Sequence, residues 1–421
     1  MSDTVAPPIE ERPEKPAAPP RSVPPKEHWW DGLIIPVLSI VTALAIGALV
    51  ILFSDSTILR SWTGFFLHPS ETVSLSWHEV ADSYRALFEG AFGSPAAIGT
   101  ALIHGDWSGL QTALGPLSET IVSATPLIFA GLAVAVGFKA NLFNIGAEGQ
   151  ITVGAITGAV AGFSFPGLPG PLHVILVILA AFAGGALWGF IPGVLKATTG
   201  AHEVITTIML NYTSYYLADW CLSTTVFQRP GRTDPISKPV TVAFPHLLGS
   251  NLRVHAGIFL ALIVTGAVAF LLNRTTIGFR FRAVGGNPDA SRAAGISPTR
   301  VYVTVMTLAG GLAGLAASNQ LLSVSPSLTP GYSSGFGFDA IALALLGGSS
   351  PWGVVAAAFL FGALHAGSRT MQAVTQTPVD IVVVIEALMI VFIAAPSLVR
   401  SIYRIKARRP AGLEIVTKGM S

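Results

Sequence analysis

Apolar runs close to twenty residues long recur along this chain, and they fix its solvent. LIIPVLSIVTALAIGALVILF (33–53) is one, and VILVILAAFAGGALWGFIPGVL (174–195) is another. A helix crosses the hydrocarbon of a bilayer in about 20 apolar residues. Of the 421 residues, 51% are hydrophobic and 11% charged, whereas soluble domains carry about 25% charged residues. So little charge cannot cover a large soluble core, which excludes that class. The chain reads as an all-α polytopic membrane protein with about ten transmembrane helices. They are placed near 33–53, 118–138, 150–165, 172–195, 203–222, 256–273, 301–322, 336–350, 353–368 and 379–396. The run at 336–350 is short and Gly-rich, so a broken or re-entrant segment is expected there.

The polar stretches divide the chain. Residues 1–27 are rich in Pro, Glu, Lys and Arg, which predicts a disordered leader. Trp29 and Trp30 stand where interfacial aromatics belong, ahead of a first transmembrane helix within 28–53. An external polar segment is expected over 54–116, part of which (SPAAIGTALIHG) has the makings of an amphipathic or half-inserted helix. A core over 117–396 and a tail over 397–421 complete the division. Lys139, Lys196, Arg274, Arg280, Arg282, Arg292 and Arg300 fall in one set of short connections, together with the basic tail RSIYRIKARRP. Cationic loops stay in the cytoplasm, so both termini are expected inside. Four-residue glycine spacings (Gly154, Gly158, Gly162; Gly185, Gly189, Gly193; Gly310, Gly314) read as seams for close helix packing. Cys221 is alone, and forms neither an internal disulfide nor a metal site by itself.

Two polar breaks interrupt the apolar pattern. KANLFNIGAEGQ (139–150) sits between apolar runs in the first half, and SSGFGFDAIALALLGGSSPWG (333–353) in the second. Interrupted helices in corresponding places mark repeat-built transporters, so two weakly related halves are expected. Asn141, Asn144, Glu148 and Gln150 must face protein or a water-filled cavity, because such groups are costly against lipid. Either they line or gate a substrate path, or they satisfy the backbone of a broken helix. Asn211 and Tyr212, in HEVITTIMLNY (202–212), raise the same question, as do Phe338, Asp339 and Glu386. His202 and Glu203 begin like a zinc motif, but Thr206 stands where a second histidine would be needed. GYSSG (331–335) has the spacing of a hydrolase elbow centred on Ser333, without the strand and helix that an elbow requires.

The basic stretch TTIGFRFRAVGGNPDASRAAGISPTR (275–300) is longer than a simple connection needs. A short helix is predicted over Asp289–Ala294, started by Asn287 or Pro288 and stopped by Gly295. A capped helix there offers a docking surface, and an ordinary cationic loop is the other reading.

GFRFRAVGGNPDASRAAGIS resembles the cytoplasmic coupling loop of bacterial ABC-importer permeases of the branched-chain amino acid and ribose type. GFKANLFNIGAEGQITVGA, HEVITTIMLNY and ALALLGGSSPWGVVAAAFLFGAL resemble the nucleoside branch, associated with basic membrane lipoproteins. The likeness covers about 118–396, and GTALIHGDWSGLQTALGPLSE departs from the compact pattern. The resemblance implies a plasma-membrane permease subunit that moves nucleosides delivered by an external binding protein. It implies a second permease subunit and a cytoplasmic ABC ATPase that binds the ATP and Mg. This chain has no G-x-x-x-x-G-K-[ST] phosphate loop, and no cofactor of its own is expected. Membrane lipid is its surroundings, and nothing points to nucleic acid. On this reading Gly285, Asn287, Pro288, Asp289, Ala294 and Gly295 meet the ATPase, with Arg280, Arg282 and Arg292 adding attraction. Asn141, Asn144, Glu148, Gln150, Asn211, Phe338 and Asp339 form the substrate pathway. The alternatives are a permease for a sugar or other small polar solute, an ion-coupled secondary transporter, and a membrane hydrolase using Ser333.

Overall fold

A computed structural model describes residues 31–249 and 252–404, and among them helices carry the fold. The leader expected over 1–27, and 405–421 of the tail, lie outside the described residues. Helix α1 (Asp31–Ser54) is followed by α2 (Ser56–Thr63), α3 (Pro69–Phe92), α4 (Pro95–His104) and α5 (Trp107–Ala113). Then come α6 (Gly115–Lys139), α7 (Ala147–Ser164), α8 (Gly170–Thr199), α9 (Glu203–Leu222) and α10 (Gly257–Arg274). The helices expected in the basic connection are α11 (Thr276–Gly286) and α12 (Pro288–Ala293). The remainder is α13 (Pro298–Ser323), α14 (Phe336–Leu346), α15 (Pro351–Thr375), α16 (Asp380–Ala394) and α17 (Pro396–Ile402). Isolated bridges such as Gln228 to Ser237 stand in for strands in the link between α9 and α10.

Six helices, α1, α6, α8, α10, α13 and α15, are long and apolar enough to cross a membrane. Two further pairs qualify if each bent pair is one span: α3 with α4, bent by 44°, and α16 with α17, bent by 94°. The expected ten are therefore not reached on length and apolarity. Glu148, Gln150 and repeated glycines dilute α7, and Glu203, Asn211 and Asp219 dilute α9. The short 336–350 run is one half-length helix, α14, preceded by a non-helical link.

The stretch expected to be an external polar segment is helical almost throughout, and α4 coincides with the helix suggested for it. Ser76, Ser83, Ala86 and Gly90 share one buried face of α3, a spacing that follows helical periodicity. Gly90 lies against Thr370 and Gly367 of α15, so small residues set the approach.

The centre is α6, buried along its length from Ala124 to Gly137, with α13, α14 and α15 around it. The glycine seams are real. A side chain on Gly185 would overlap the Gly310 carbonyl, and one on Gly189 the Met306 carbonyl, so the α8 and α13 backbones touch. Gly154 meets Gly314 in the same seam. In lipid, association rests on such van der Waals contact rather than on a hydrophobic drive between helices. The outer flank of α8 (Leu172, Ile175, Leu179, Leu187) is exposed and apolar, as a lipid-facing surface must be.

Candidate functional site

The first break begins where α6 ends. Gly137 accepts hydrogen bonds from Ala140 and Leu142, and Asn141 takes a left-handed conformation with φ 55°. Asn141 is exposed there, away from the other polar residues of the break. Asn144 turns inward. Its Nδ2 donates to Gln150 Oε1 at 2.9 Å, and Gln150 Nε2 donates back to Asn144 Oδ1 at 3.1 Å. Asn144 Oδ1 also accepts from the Gly146 amide at 3.2 Å. Asn211, from α9, accepts from the Gly149 amide at 2.9 Å and donates to the Ile145 carbonyl at 3.0 Å. These side chains supply partners that an unbroken helix would have supplied from its own backbone.

Glu148 joins this break to the second one. Its Oε1 accepts from Ser333 Oγ at 2.5 Å and the Gly335 amide at 3.1 Å, and its Oε2 accepts from the Gly337 amide at 2.7 Å. The carboxylate, 2% exposed, therefore caps the first turn of α14 while it belongs to the first turn of α7. Helix N-termini favour negative charge, and here two of them share one. Gly337 packs so closely on the Glu148 backbone that no Cβ fits. Ser333 is occupied by Glu148 and sits in a link between helices, which gives it no elbow geometry.

Beside this junction opens a cavity of about 690 Å³. Its wall is the first turns of α6, the ends of α13 and α15, and the link from Val324 to Phe336. Ser123, Gln320, Ser325, Tyr332, Ser334 and His365 supply hydrogen-bonding groups, while Val122, Pro126 and Phe336 are apolar. Glu119 is held by Arg253 at 3.0 Å and has Arg369 at 4.0 Å. The volume falls in the range of small-molecule sites, about 300–1,000 Å³. Near it His255, in the segment leading into α10, stacks on Phe244 and accepts from the Gly257 amide through Nδ1. Burial pushes its pKa down to about 4.

None of the seven pathway residues read from the sequence is on this wall. Asn144, Glu148, Gln150 and Asn211 come together, but as the brace of the two breaks. Phe338 is half exposed on α14, apart from that cluster. Asp339 lies 3.9 Å from His365 Nε2, whose nearer partner is Glu386. His365 was missed, although an ionisable residue within an apolar run was the available signal. Tyr212 faces outward from α9, edge-on to Tyr215. Glu203 pairs with Lys196 at 2.9 Å.

At the other end of α6, on the order of 35 Å away by helical rise, lie α11 and α12. Asn287 caps α12, accepting from the Asp289 and Ala290 amides at 3.0 Å each. Pro288 occupies the first helical position, and Gly295 takes φ 81° after the last turn. Arg280, Arg282, Arg292, Asp289 and Ala294 are exposed, with Arg292 and Asp289 3.3 Å apart. Gly285 presses on the backbone of Lys139 and Ala140, at the start of the first break. A groove of about 540 Å³ runs between the two helices, lined by Phe279, Arg280, Ala283, Asn287 and Ala290.

A helical membrane protein with a polar solute-sized cavity at one end of its central helix and an exposed helix pair at the other is a multi-pass permease. Residues 117–394 match the family described as the permease component of branched-chain amino acid transport systems, and the chain belongs to that family. It is 36% identical to the guanosine ABC transporter permease protein NupP of Bacillus subtilis, over 87% of this chain and 94% of that one. It is 34% identical to the nucleoside ABC transporter permease protein NupB of Lactococcus lactis, over 86% and 90%. Identity to the glucose ABC transporter permease protein TsgB13 of Haloferax volcanii is 33%, over 66% and 75%. No solved structure matches the chain.

Proposed function

We propose that this chain is the membrane-spanning permease subunit of an ATP-driven importer for nucleosides, in a bacterial plasma membrane. The observation that carries the reading is the cavity of about 690 Å³, lined by hydroxyl, amide and imidazole groups together with the paired Glu119, Arg253 and Arg369, beside the Glu148 junction. A nucleoside is uncharged and polar around its rim, with an apolar base face. Hydroxyl, amide and imidazole groups beside Phe336 and Tyr332 suit it. Two of the most similar relatives carry nucleoside or guanosine in their names, which favours this solute.

Ten crossings fit the helices if α7, α9, α16 and the link-plus-α14 unit are added to the six long apolar ones. Both termini then lie in the cytoplasm with Lys139, Lys196 and the 274–300 arginines, in keeping with cation placement. In that orientation the cavity opens outward, toward an external binding protein, and α11–α12 faces a cytoplasmic ATPase that holds ATP and Mg. A second permease chain completes the pathway. ATPase closure presses the α11–α12 groove, Gly285 transmits the push to Lys139 and Ala140, and the break moves the Glu148 junction. The two states must bind the ATPase differently for ATP to shift between them.

Reconstitution of the full transporter tests this. ATP-dependent accumulation of labelled nucleoside, insensitive to collapse of ion gradients, is expected. Accumulation that follows an ion gradient without ATP overturns the reading in favour of a secondary transporter. ATP-driven uptake of a free sugar alone overturns the solute, a reading that the 33% identical glucose permease favours.

A further inference from the structure

We infer that His365 determines specificity in the cavity through a hydrogen bond between Nδ1 and a ring hydroxyl of the solute, and that Glu386 positions its imidazole. This deepens the nucleoside reading and rests on it. Three observations meet at this residue. His365 is on the cavity wall, while Glu386 and Asp339 stand behind it. Nε2 lies 3.2 Å from Glu386 Oε1 and 3.3 Å from Oε2. Nδ1 makes no hydrogen bond among the described residues, and Glu386 Oε1 lacks a well-directed one although the residue is 4% exposed.

The chemistry follows from the tautomer. An ionised carboxylate only accepts, so Nε2 carries a hydrogen toward Glu386. That leaves Nδ1 without a partner, facing a solute hydroxyl that can both donate and accept. A carboxylate behind an imidazole fixes both orientation and tautomer, leaving the opposite nitrogen to deal with a hydroxyl. The remaining polar wall groups are hydroxyls and an amide, which adapt to either role, and the charged Glu119, Arg253 and Arg369, which pair with one another. A positioned nitrogen with no protein partner discriminates, because a solute without a hydroxyl there leaves it unpaired. Ring hydroxyls occur on the ribose of a nucleoside and on a free sugar alike, so the shared chemistry is the ring hydroxyl.

The experiment is ATP-driven uptake by the complete reconstituted transporter with its binding protein, comparing a ribonucleoside with its 2′,3′-dideoxy counterpart. The binding protein also selects, but its share cancels in the ratio between wild type and variant. One neutral hydrogen bond corresponds to about a fivefold change in affinity. His365→Ala is expected to raise the half-saturating ribonucleoside concentration by about fivefold, with the dideoxy value unchanged. His365→Phe, which fills the space without a ring nitrogen, should do the same if the alanine variant fails to insert. Glu386→Gln, whose amide oxygen still accepts from Nε2, should keep the preference, and Glu386→Leu should lose it. Equal losses for both solutes, or an unchanged ratio in His365→Phe, overturn the assignment. Failure of the nucleoside reading is separately visible: wild type then imports no nucleoside, and a free sugar and its deoxy analogue give the same double ratio.

Discussion

Substituting Glu148 should weaken the contact between α7 and α14 in a graded way. The carboxylate accepts from Ser333, Gly335 and Gly337 in a site with 2% exposure. Hydrogen bonds to charged groups contribute about 1.5–3 kcal/mol each, and a buried donor left without a partner costs about 1–3 kcal/mol. Alanine removes all three acceptor contacts at once. Water in the vacated space re-solvates some of the donors, so the net loss is on the order of 4 kcal/mol, within the range for breaking a buried charged contact. Glutamine keeps the shape and one oxygen. Ser333 and Gly335 still find an acceptor, but an NH2 meets the Gly337 amide, donor against donor, for a loss of about 2 kcal/mol. The assay is thermal unfolding of the purified complex in mild detergent, run beside uptake at measured membrane abundance. Wild type, Glu148→Gln and Glu148→Ala should rank in that order for both. A 4 kcal/mol change corresponds to nearly a thousandfold in the equilibrium between the joined and separated junction, so ATPase activity without binding protein should rise in the alanine variant. Normal uptake and an unchanged midpoint in Glu148→Ala would refute the brace, and so would a glutamine variant as damaged as alanine.

In the α8–α13 seam, Gly185→Ala should cost about 1–3 kcal/mol by forcing the backbones apart, read as lost folded yield. Gly266→Ala on α10, with open space around it, should be neutral or gain up to about 1 kcal/mol in the same expression test. Asn287→Ala removes the cap of α12, worth about 1 kcal/mol; ATP-coupled uptake should fall while the detergent unfolding midpoint of the bundle stays put, and intact coupling counts against docking here. The pKa of His255 is depressed to about 4 from about 6.5 when unfolded. Its contribution is therefore complete above pH 6.5 and declines as pH falls toward 4, by about 3 kcal/mol in total. Unfolding midpoints measured from pH 7 to pH 4 should drop in wild type and flatten in His255→Phe; parallel curves would remove His255 as the cause.

Local signals carried the sequence reading furthest. Asn287, Pro288 and Gly295 act on their own backbone, so α12 could be placed from a few neighbouring letters, and its bounds agree within a residue. The glycine spacings were legible for the same reason, since four-residue periodicity survives without knowledge of the partner helix. Polar residues within 139–150 announced that they needed partners, yet the partners of Glu148 lie more than 180 residues away. Nothing in either stretch alone chooses between lining a path and bracing a break. The cavity was invisible because its wall is assembled from the ends of α6, α13 and α15, each ordinary in sequence. The 54–116 stretch read as polar because α3 buries serines and glycine against α15 rather than leucines.

Each broken helix leaves first-turn amides without carbonyl partners, and in lipid those amides must be met from within the protein. The first break is met partly by side chains close to it, Asn144 and Gln150, and by Asn211 from α9. The second has no such neighbours and is met by Glu148 from the first. The amides of the second break and the Glu148 carboxylate of the first therefore satisfy each other, which gives a physical reason for the two breaks to lie face to face. It also offers a route for the proposed coupling. Gly285 touches the chain at Lys139 and Ala140, eight residues before Glu148 at Ala140, and Ser334 and Phe336 on the cavity wall flank the Gly335 amide that Glu148 holds. On the proposed coupling, one route from α11 to the cavity wall passes through the Glu148 carboxylate, and a cross-link that immobilises Gly285 against Ala140 should arrest uptake without changing solute affinity at the binding protein.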